Sequence, residues 1–367
     1  MTLKVLISPC AFKGTLSACA LAGAFSAGVA DFDPGASIEV VPIADGGDGT
    51  IESIATAIGG VMHDVEALGP VDNQVRARWL EFDGTAVAEL ACVSGLALLP
   101  EGKLRPLESH TFGLGQVIAD CLKIQPRRLF VCVGGSASTD GGAGALAALG
   151  AKFMDSEREL IGLGNQALSS LVFCDLQNMR RITAEIKVAV DVTNPLLGLD
   201  GAARIFGPQK GGGPKDIEIM ENNLRRFADV LESVCGRRVK ECAGAGAAGG
   251  TAFGIATAFG AEMISGFQWL SQIVDLERRV INADLVLTGE GRLDSQSIAG
   301  KAIGELAKVC HKLAKPLWAV PALAQDNVDW TVHHLAQVVP VSVDGSIADV
   351  VAVRAAVRKA LTQYWRS

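Results

Sequence analysis

The chain has 367 residues, of which 49% are hydrophobic and 20% charged, so it can bury a large core. This length suggests about two domains. The net charge is −7 and no Lys- or Arg-rich run occurs, which disfavours nucleic-acid binding. No apolar run reaches the roughly 18 residues of a membrane helix. The nine cysteines include no C-x-x-C pair, a usage typical of buried thiols in a reducing compartment, so we expect a cytoplasmic protein without membrane partners.

The first 60 residues alternate buried strands, loops and helices. The pattern predicts strands at residues 3–8 and 38–42 and helices at 17–29 and 50–58, with Ser17 as the N-cap of the first helix. This alternation is typical of a parallel sheet, in which function lies at the carboxyl ends of the strands.

From residue 61 the pattern changes to three short strands joined by turns, at 61–66, 74–82 and 85–89. Further strands are predicted at 129–133 and 186–192, and further helices at 115–123, 142–149 and 214–234. The alternation of strands and helices seen in the first 60 residues returns near the end of the chain. Strands are predicted at 284–288 and 317–320 and helices at 297–313 and 348–365. The sequence therefore predicts two α/β domains with mostly parallel sheets. A discontinuous, Rossmann-like domain of residues 1–60 and 284–367 receives an inserted domain of residues 61–283.

The 42 glycines are concentrated in loops, several of which also carry acids. Six such loops occur, at residues 44–49, 134–144, 191–198, 206–214, 244–250 and 288–296. Four of them follow apolar runs predicted as strands. Glycine permits positive φ and lets backbone N–H groups approach a ligand, and a helix beginning just after adds positive potential. This combination suits phosphate, although any single loop is equally well explained as a turn.

Other phosphate and nucleotide motifs are missing. There is no Walker A sequence and no protein-kinase motif. Matches to G-x-G-x-x-G/A occur at 142–147 and 244–249, but neither directly follows a predicted strand, which disfavours NAD. No His or Cys spacing indicates zinc, and neither Ser8 nor Ser136 lies in a G-x-S-x-G motif.

Phosphoryl transfer to a hydroxyl needs in-line positioning, charge neutralisation by Mg²⁺ and cations, and a group that accepts the proton. Acids in the glycine loops are the candidates for metal and base, namely Asp45, Asp48, Asp140, Asp191, Glu290 and Asp294. The candidate cations are Lys13, Lys210, Arg292 and Lys301. Each acid also has a plain alternative as a loop cap, and Lys301 as part of a solvated helix face.

Blocks found in one order along nearly the whole chain resemble the glycerate kinase type I family. They are SPCAFKGTLSA (8–18), PIADGGDGT (42–50), GGSASTDGGAG (134–144), DVTNPLLG with FGPQKG (191–211), GAGAAGG (244–250) and LTGEGRLDSQSIAGKA (287–302). The resemblance implies ATP- and Mg²⁺-dependent phosphorylation of D-glycerate, with 2-phosphoglycerate favoured over 3-phosphoglycerate. It also implies an active site in the cleft between two α/β domains.

Roles can be hypothesised within the matched positions. Catalytic roles fall to Asp191 as general base, Lys13 and Asp294, and Mg²⁺ binding to Asp294 and Asp45. The substrate-binding set is Asp45, Asn194, Glu290 and Arg292. The nucleotide-binding set is Gly134, Gly135, Ser136, Asp140, Gly246 and Gly249.

The chain departs from the family pattern in its first loop, where Cys10 and Ala11 replace the usual Asp and Ser. Ser138 and Thr139 stand where Thr-Asn is common, and residues 321–325 lack the usual Ala-Gly pair. Two alternatives stay open. A nucleotide-dependent oxidoreductase would bind NAD but not ATP, and a sensor that kept the kinase fold would bind ligand without transferring phosphate. The oligomeric state, a homodimer included, and the nucleotide preference are also open.

Overall fold

The computed structural model describes residues 2–12, 15–100, 103–298, 301–342 and 349–365. By its internal contacts the chain divides into two compact units. Unit 1 consists of Met1–Asp45, Glu52–Gly59 and Phe267–Ser367, and unit 2 of Gly46–Ile51 and Gly60–Gly266.

The described chain contains short strands and mostly short helices. The strands are β1 (Lys4–Ile7), β2 (Ser37–Val40), β3 (Val61–Leu68), β4 (Gln74–Phe82), β5 (Thr85–Glu89), β6 (Arg128–Cys132), β7 (Lys152–Met154), β8 (Phe173–Asp175), β9 (Glu185–Ala189), β10 (Glu262–Ile264), β11 (Leu285–Thr288), β12 (Arg292–Leu293), β13 (Leu317–Ala319), β14 (Leu323–Ala324) and β15 (Gln337–Val338). The α-helices are α1 (Ala18–Phe32), α2 (Thr50–Ile58), α3 (Ala91–Ser94), α4 (Phe112–Cys121), α5 (Ala143–Ala148), α6 (Ala202–Phe206), α7 (Pro214–Cys235), α8 (Ala247–Phe259), α9 (Gly266–Ile273), α10 (Leu276–Asn282), α11 (Ser295–Ile298), α12 (Ala302–Lys312) and α13 (Val350–Ala360). None of these described helices has the length and apolar character needed to cross a membrane.

Unit 1 is built on a five-stranded sheet in the order β15-β13-β11-β1-β2, and every pairing is parallel. The predicted parallel arrangement of the chain's first and last strands is thus confirmed, with Val5 opposite Leu285 in the register of β1 and β11. Residues 267–283 had been predicted in the inserted domain. In this division they belong to unit 1, where α10 packs against β1 and α12.

Helix α1 covers the sheet of unit 1 with an apolar face. Ser17 is its N-cap, as predicted, because its Oγ accepts a hydrogen bond of 3.2 Å from the N–H of Ala20. Phe25 and Val29 are fully buried in the core of this unit together with Val357 of α13. The two helices approach closely at Gly28, where a Cβ would lie 2.7 Å from the carbonyl oxygen of Arg354.

Unit 2 contains a six-stranded sheet in the order β10-β9-β6-β5-β4-β3. The three short strands predicted after residue 61 are confirmed as β3, β4 and β5, which form an antiparallel meander, and β5, β6, β9 and β10 pair in parallel. Trp79 is buried on this sheet, and its indole N–H donates to Asp120 at 2.9 Å. Helix α7 begins at Pro214 and ends at Cys235, so the amphipathic helix predicted at 214–234 is confirmed.

Two helix predictions differ from the structure. The single helix expected at 297–313 is wrong, because α11 ends at Ile298 and α12 begins at Ala302, after Lys301 in an extended conformation. The start of α12 packs closely against the end of α11, because a Cβ at Gly304 would lie only 2.3 Å from the carbonyl oxygen of Ile298. Helix α4 starts at Phe112, three residues earlier than predicted, because the glycines in its first turns obscured its pattern.

Replacing Gly28 by Ala is expected to destabilise the protein by about 1–3 kcal/mol, because the added methyl group overpacks the contact between α1 and α13. Gly23→Ala in the same helix is the matched control. Apart from the backbone of α1 itself, no described atom lies within 4 Å of the position its Cβ would take, so this variant should gain up to about 1 kcal/mol from helix propensity. Urea unfolding of both variants measures the difference, and equal stabilities would contradict the packing argument.

Candidate active site

Three loops of unit 2 meet at the carboxyl ends of its parallel strands. The N–H of Gly134, after β6, donates to the carbonyl oxygen of Gly46 at 3.0 Å. A Cβ at Gly134 would lie 2.5 Å from the Cα of Gly47, and one at Gly46 would lie 2.9 Å from the Cβ of Ala189. Backbone therefore packs on backbone here, which only glycine allows. This packing accounts for Gly134 and leaves its predicted nucleotide contact a prediction.

The loop that follows α7 joins the same cluster. The N–H of Gly246 donates to the carbonyl oxygen of Asn194 at 2.9 Å. A Cβ at Gly249 would lie 2.2 Å from the carbonyl oxygen of Ser138. Ala248, Gly249 and Gly250 have successive φ values of 55°, 64° and 88°, which form a left-handed turn at the start of α8. Unit 2 thus brings the predicted residues Gly134, Ser136, Asn194, Gly246 and Gly249 into one cluster of loops.

Asp140 holds this cluster together from inside. Its carboxylate is fully buried and accepts four hydrogen bonds. The donors are the N–H and hydroxyl of Thr111, at 2.9 and 2.8 Å, and the N–H groups of Gly142 and Gly144, at 3.1 and 3.2 Å. In this structure Asp140 therefore positions the loop and the start of α5. Its predicted nucleotide contact stays a prediction.

Lys210, named from the sequence as a candidate cation, lies beneath the loop that follows β6. Its side chain is 2% exposed, and its ammonium group donates to the hydroxyl of Ser136 at 2.8 Å and to the carbonyl oxygen of Ser138. Burial lowers the pKa of Lys210 to about 7, although the nearby charge of Asp140 acts in the opposite direction. Lys210 thus contacts Ser136 from the buried side of the loop, and in its protonated form it favours an anion there.

Asp191, the predicted general base, follows β9 at the same edge of the sheet and is half-buried. Its Oδ1 accepts hydrogen bonds from the N–H of Gly266 at 3.2 Å and from the hydroxyl of Ser265 at 3.3 Å. Asn194 is fixed by its own side chain, whose amide donates to the carbonyl oxygen of Asp200 at 2.8 Å. The hydrogen bonds from Gly266 and Ser265 fix the orientation of the Asp191 carboxylate.

Glu89 is a buried acid at this edge that the sequence reasoning missed. It ends β5, is 2% exposed, and accepts hydrogen bonds from the N–H groups of Gly49 at 2.9 Å and Ile51 at 3.0 Å. Burial raises the pKa of Glu89 to about 7, outweighing these two hydrogen bonds, and the charge of Asp48 adds to the rise. Glu89 thereby fixes the glycine loop that leads into α2. Its place at the end of an apolar strand was the only signal for it in the sequence.

Of the predicted residues not yet placed, Gly135 follows Gly134 in unit 2 with a φ of 77°, and Lys13 lies outside the described residues. The others belong to unit 1. Asp45 ends the first segment of this unit, after β2. Glu290, Arg292 and Asp294 follow β11, which is separated from β2 only by β1. All of these positions therefore lie at the carboxyl edge of one parallel sheet, as the sequence predicted for strand-end loops.

The loop after β11 is held by backbone contacts and by a local cap. The carbonyl oxygen of Glu290 accepts from the N–H of Ala322 at 2.9 Å. Asp294 Oδ1 accepts from the N–H of Ser297 at 3.1 Å, so Asp294 caps the short helix α11. Its Oδ2 lies 3.9 Å from Nε of Arg292, whose side chain is 72% exposed. Lys301 is exposed and precedes α12, which agrees with the alternative that it belongs to a solvated helix face.

The carboxylates at the edge of unit 1 offer oxygen donors only, the ligand type that Mg²⁺ prefers. Among the residues that the structure describes, no group of three or more His, Cys, Asp or Glu side chains is placed to hold a metal ion. Mg²⁺ in phosphoryl-transfer sites is usually held by one or two carboxylates together with phosphate oxygens and water. Asp45 and Asp294 fit that donor chemistry.

Comparison with known proteins agrees with this arrangement. Residues 5–363 match the model of the glycerate kinase family. A glycerate 2-kinase of Escherichia coli is 39% identical over 90% of this chain and 88% of its own length. A glycerate kinase of Bacillus subtilis is 40% identical over 86% and 84%. The crystal structure of a putative glycerate kinase 2 from Salmonella typhimurium superposes with a TM-score of 0.82 at 32% identity and covers 98% of both chains.

The two α/β units with their glycine loops therefore define an enzyme of the kinase class. The chain belongs to the glycerate kinase family. Both the family resemblance and the mostly parallel α/β fold expected from the sequence are confirmed. The chain belongs to this family even though Cys10 and Ala11 replace the usual residues of its first loop.

The buried Glu89 predicts a pH dependence of stability. Because its pKa is about 7 in the folded state and near 4.5 in the unfolded state, the folded protein binds the extra proton between these values. Stability should therefore fall as the pH rises from about 4.5 to 7, by up to about 3 kcal/mol. Glu89→Gln should lack this component, whereas the exposed control Glu66→Gln should keep it. Urea unfolding at pH 5 and 7.5 measures the free energy of unfolding of the wild type and both variants. The same change in this free energy between the two pH values in all three proteins would refute the assignment.

Proposed function

We propose that the chain transfers the terminal phosphoryl group of ATP to D-glycerate with Mg²⁺, and that the product is 2-phosphoglycerate. The observation that carries this proposal is the cluster of glycine loops in unit 2, backed by the buried Lys210 and bordered by the oriented carboxylate of Asp191. The E. coli relative named glycerate 2-kinase supports the choice of hydroxyl. Direct in-line transfer is the mechanism that such positioning without a covalent nucleophile favours.

Each part of the site has a role in this proposal. The loop from Gly134 to Ser136, with Gly246 and Gly249 beside it, holds the phosphates of ATP through backbone N–H groups. Asp191 accepts the proton of the attacking hydroxyl. Arg292 and Asn194 hold the glycerate, whose carboxylate pairs with the exposed guanidinium. Asp45 and Glu290 complete the set predicted to bind the substrate.

Two further groups complete the charge balance. Asp45 and Asp294 would hold Mg²⁺, which neutralises charge on the phosphate oxygens when bound. Lys13 is assigned by the family resemblance to neutralise the transferring group. The proposal leaves the form of the assembly open and requires no nucleic-acid or membrane partner.

The activity is tested by ADP release in a coupled assay with D-glycerate, ATP and Mg²⁺, followed by phosphorus NMR of the product. We expect turnover that requires all three components and a phosphorus resonance coupled to the proton on C2. Coupling to the C3 protons would refute the choice of hydroxyl while retaining the kinase. Nucleotide binding without turnover on D-glycerate or any other hydroxy acid would indicate the sensor alternative instead.

Asp191→Asn should lower kcat by about 100-fold or more, because the amide cannot accept the hydroxyl proton. Asp200→Asn is the control, since Asp200 is an exposed acid in the same loop region and loses the same charge. It should keep nearly full activity. Both variants are measured at saturating ATP and D-glycerate, and a kcat of Asp191→Asn within twofold of wild type would exclude Asp191 as the base.

Lys210→Met should weaken ATP binding and remove part of its pH dependence. With a pKa of about 7, Lys210 is protonated below this pH and loses its charge above it. The affinity of the wild type for ATP should therefore fall more between pH 6 and 8 than the affinity of the variant. Calorimetric titration at both pH values measures this. Parallel pH dependences in the two proteins would show that Lys210 does not act on the nucleotide.

A further inference from the structure

A pocket of about 520 Å³ lies in unit 2 outside the candidate active site. Its lining combines polar and apolar groups from two segments, namely Leu122, Gln125, Pro126, Arg180, Arg181, Thr183 and Ala184. These segments lead into β6 and β9, which are neighbouring parallel strands with Arg128 opposite Glu185. The pocket is therefore at the amino edge of the sheet, whereas the glycine loops follow the carboxyl ends of the same two strands. The five residues of β6 separate the two edges by about 16 Å.

The two segments that contribute to the pocket are positively charged, whereas the whole chain is negatively charged, and Arg180 and Arg181 are the charged residues in the lining. Residues 122–128 and 180–184 contain Lys123, Arg127, Arg128, Arg180 and Arg181 and no acid, in a chain of net charge −7. Lys123 pairs with Asp120, and Arg127 and Arg128 share one carboxylate, that of Asp83. Acids from neighbouring elements thus neutralise only part of the positive charge.

Arg180 and Arg181 carry the remaining positive charge. Within the described part of the chain, neither guanidinium makes a hydrogen bond or an ion pair, and both residues are exposed at the pocket. Adjacent guanidinium groups suit carboxylate or phosphate oxygens, which they bind with paired N–H donors. Leu122, Pro126 and Ala184 offer an apolar wall beside them, and the hydroxyl of Thr183 adds a polar group. A ligand with separated anionic groups on a short carbon chain would match this lining.

We propose that this pocket is a second binding site, which takes a small anion through its phosphate or carboxylate groups. Strands β6 and β9 join the pocket to the loops that contain Ser136 and Asp191. The binding step itself does not depend on the proposed kinase reaction.

The site is tested by calorimetric titration of the full chain, free of Mg²⁺, with inorganic phosphate and with citrate in separate experiments. The test variant is Arg180→Gln/Arg181→Gln. The control is Arg225→Gln/Arg226→Gln, which removes the same charge from an adjacent pair on α7. We expect at least one anion to bind the wild type and the control equally, and to bind the test variant at least about tenfold more weakly. Binding at the candidate active site would occur in all three proteins, so only the difference between the test variant and the other two reports on the pocket.

Hydrogen exchange of the wild type with and without the better anion needs no variant. Exchange should slow at residues 122–128 and 180–184. Preference for citrate or for phosphate distinguishes a polycarboxylate from a phosphorylated ligand. Equal affinities in all three proteins, no binding of either anion at millimolar concentrations, or slowing confined to residues 134–144 and 191–198 would each overturn the proposal.

Discussion

The candidate site of unit 2 depends on backbone contacts that leave no space for a side chain. The hydrogen bond between Gly134 and Gly46 brings the ends of two parallel strands together with the loop before α2. The approach of Gly249 to Ser138 adds the start of α8. Because these contacts fix where the backbone N–H groups lie, the loops have the preorganised donors that the proposed phosphate binding requires.

Three buried ionisable side chains, those of Glu89, Asp140 and Lys210, lie next to the loops of this site. Asp140 is saturated with hydrogen bonds and orders the chain around it. Glu89 and Lys210 are buried ionisable groups whose pKa values move in opposite directions, both to about 7, because burial disfavours each charged form. The site therefore contains one acid and one base that both titrate near pH 7. They lie in a region otherwise rich in glycine and apolar side chains.

The sequence predicted the fold well where its periodicity was strong and less well at glycine-rich helices. The strands after residue 61 and the long helix α7 follow clear patterns. The start of α4 and the break before α12 were missed, because close packing at Gly304 decides the latter and no local pattern records it. For the site, loop composition placed Gly134 and Asn194 in loops after strands, and Gly246 in the loop between α7 and α8. It did not reveal that Asp140 faces inward or that Glu89 holds the loop at Gly49, since both depend on contacts between residues far apart in sequence.

The division of the chain has a consequence for its assembly during folding. Residues Gly46–Ile51 belong to unit 2, yet both of their sequence neighbours, Met1–Asp45 and Glu52–Gly59, belong to unit 1. A continuous fragment of residues 60–266 would therefore lack the two N–H donors of Glu89 and the acceptor of Gly134. Unit 2 can therefore complete these hydrogen bonds only when the segment Gly46–Ile51 is in place.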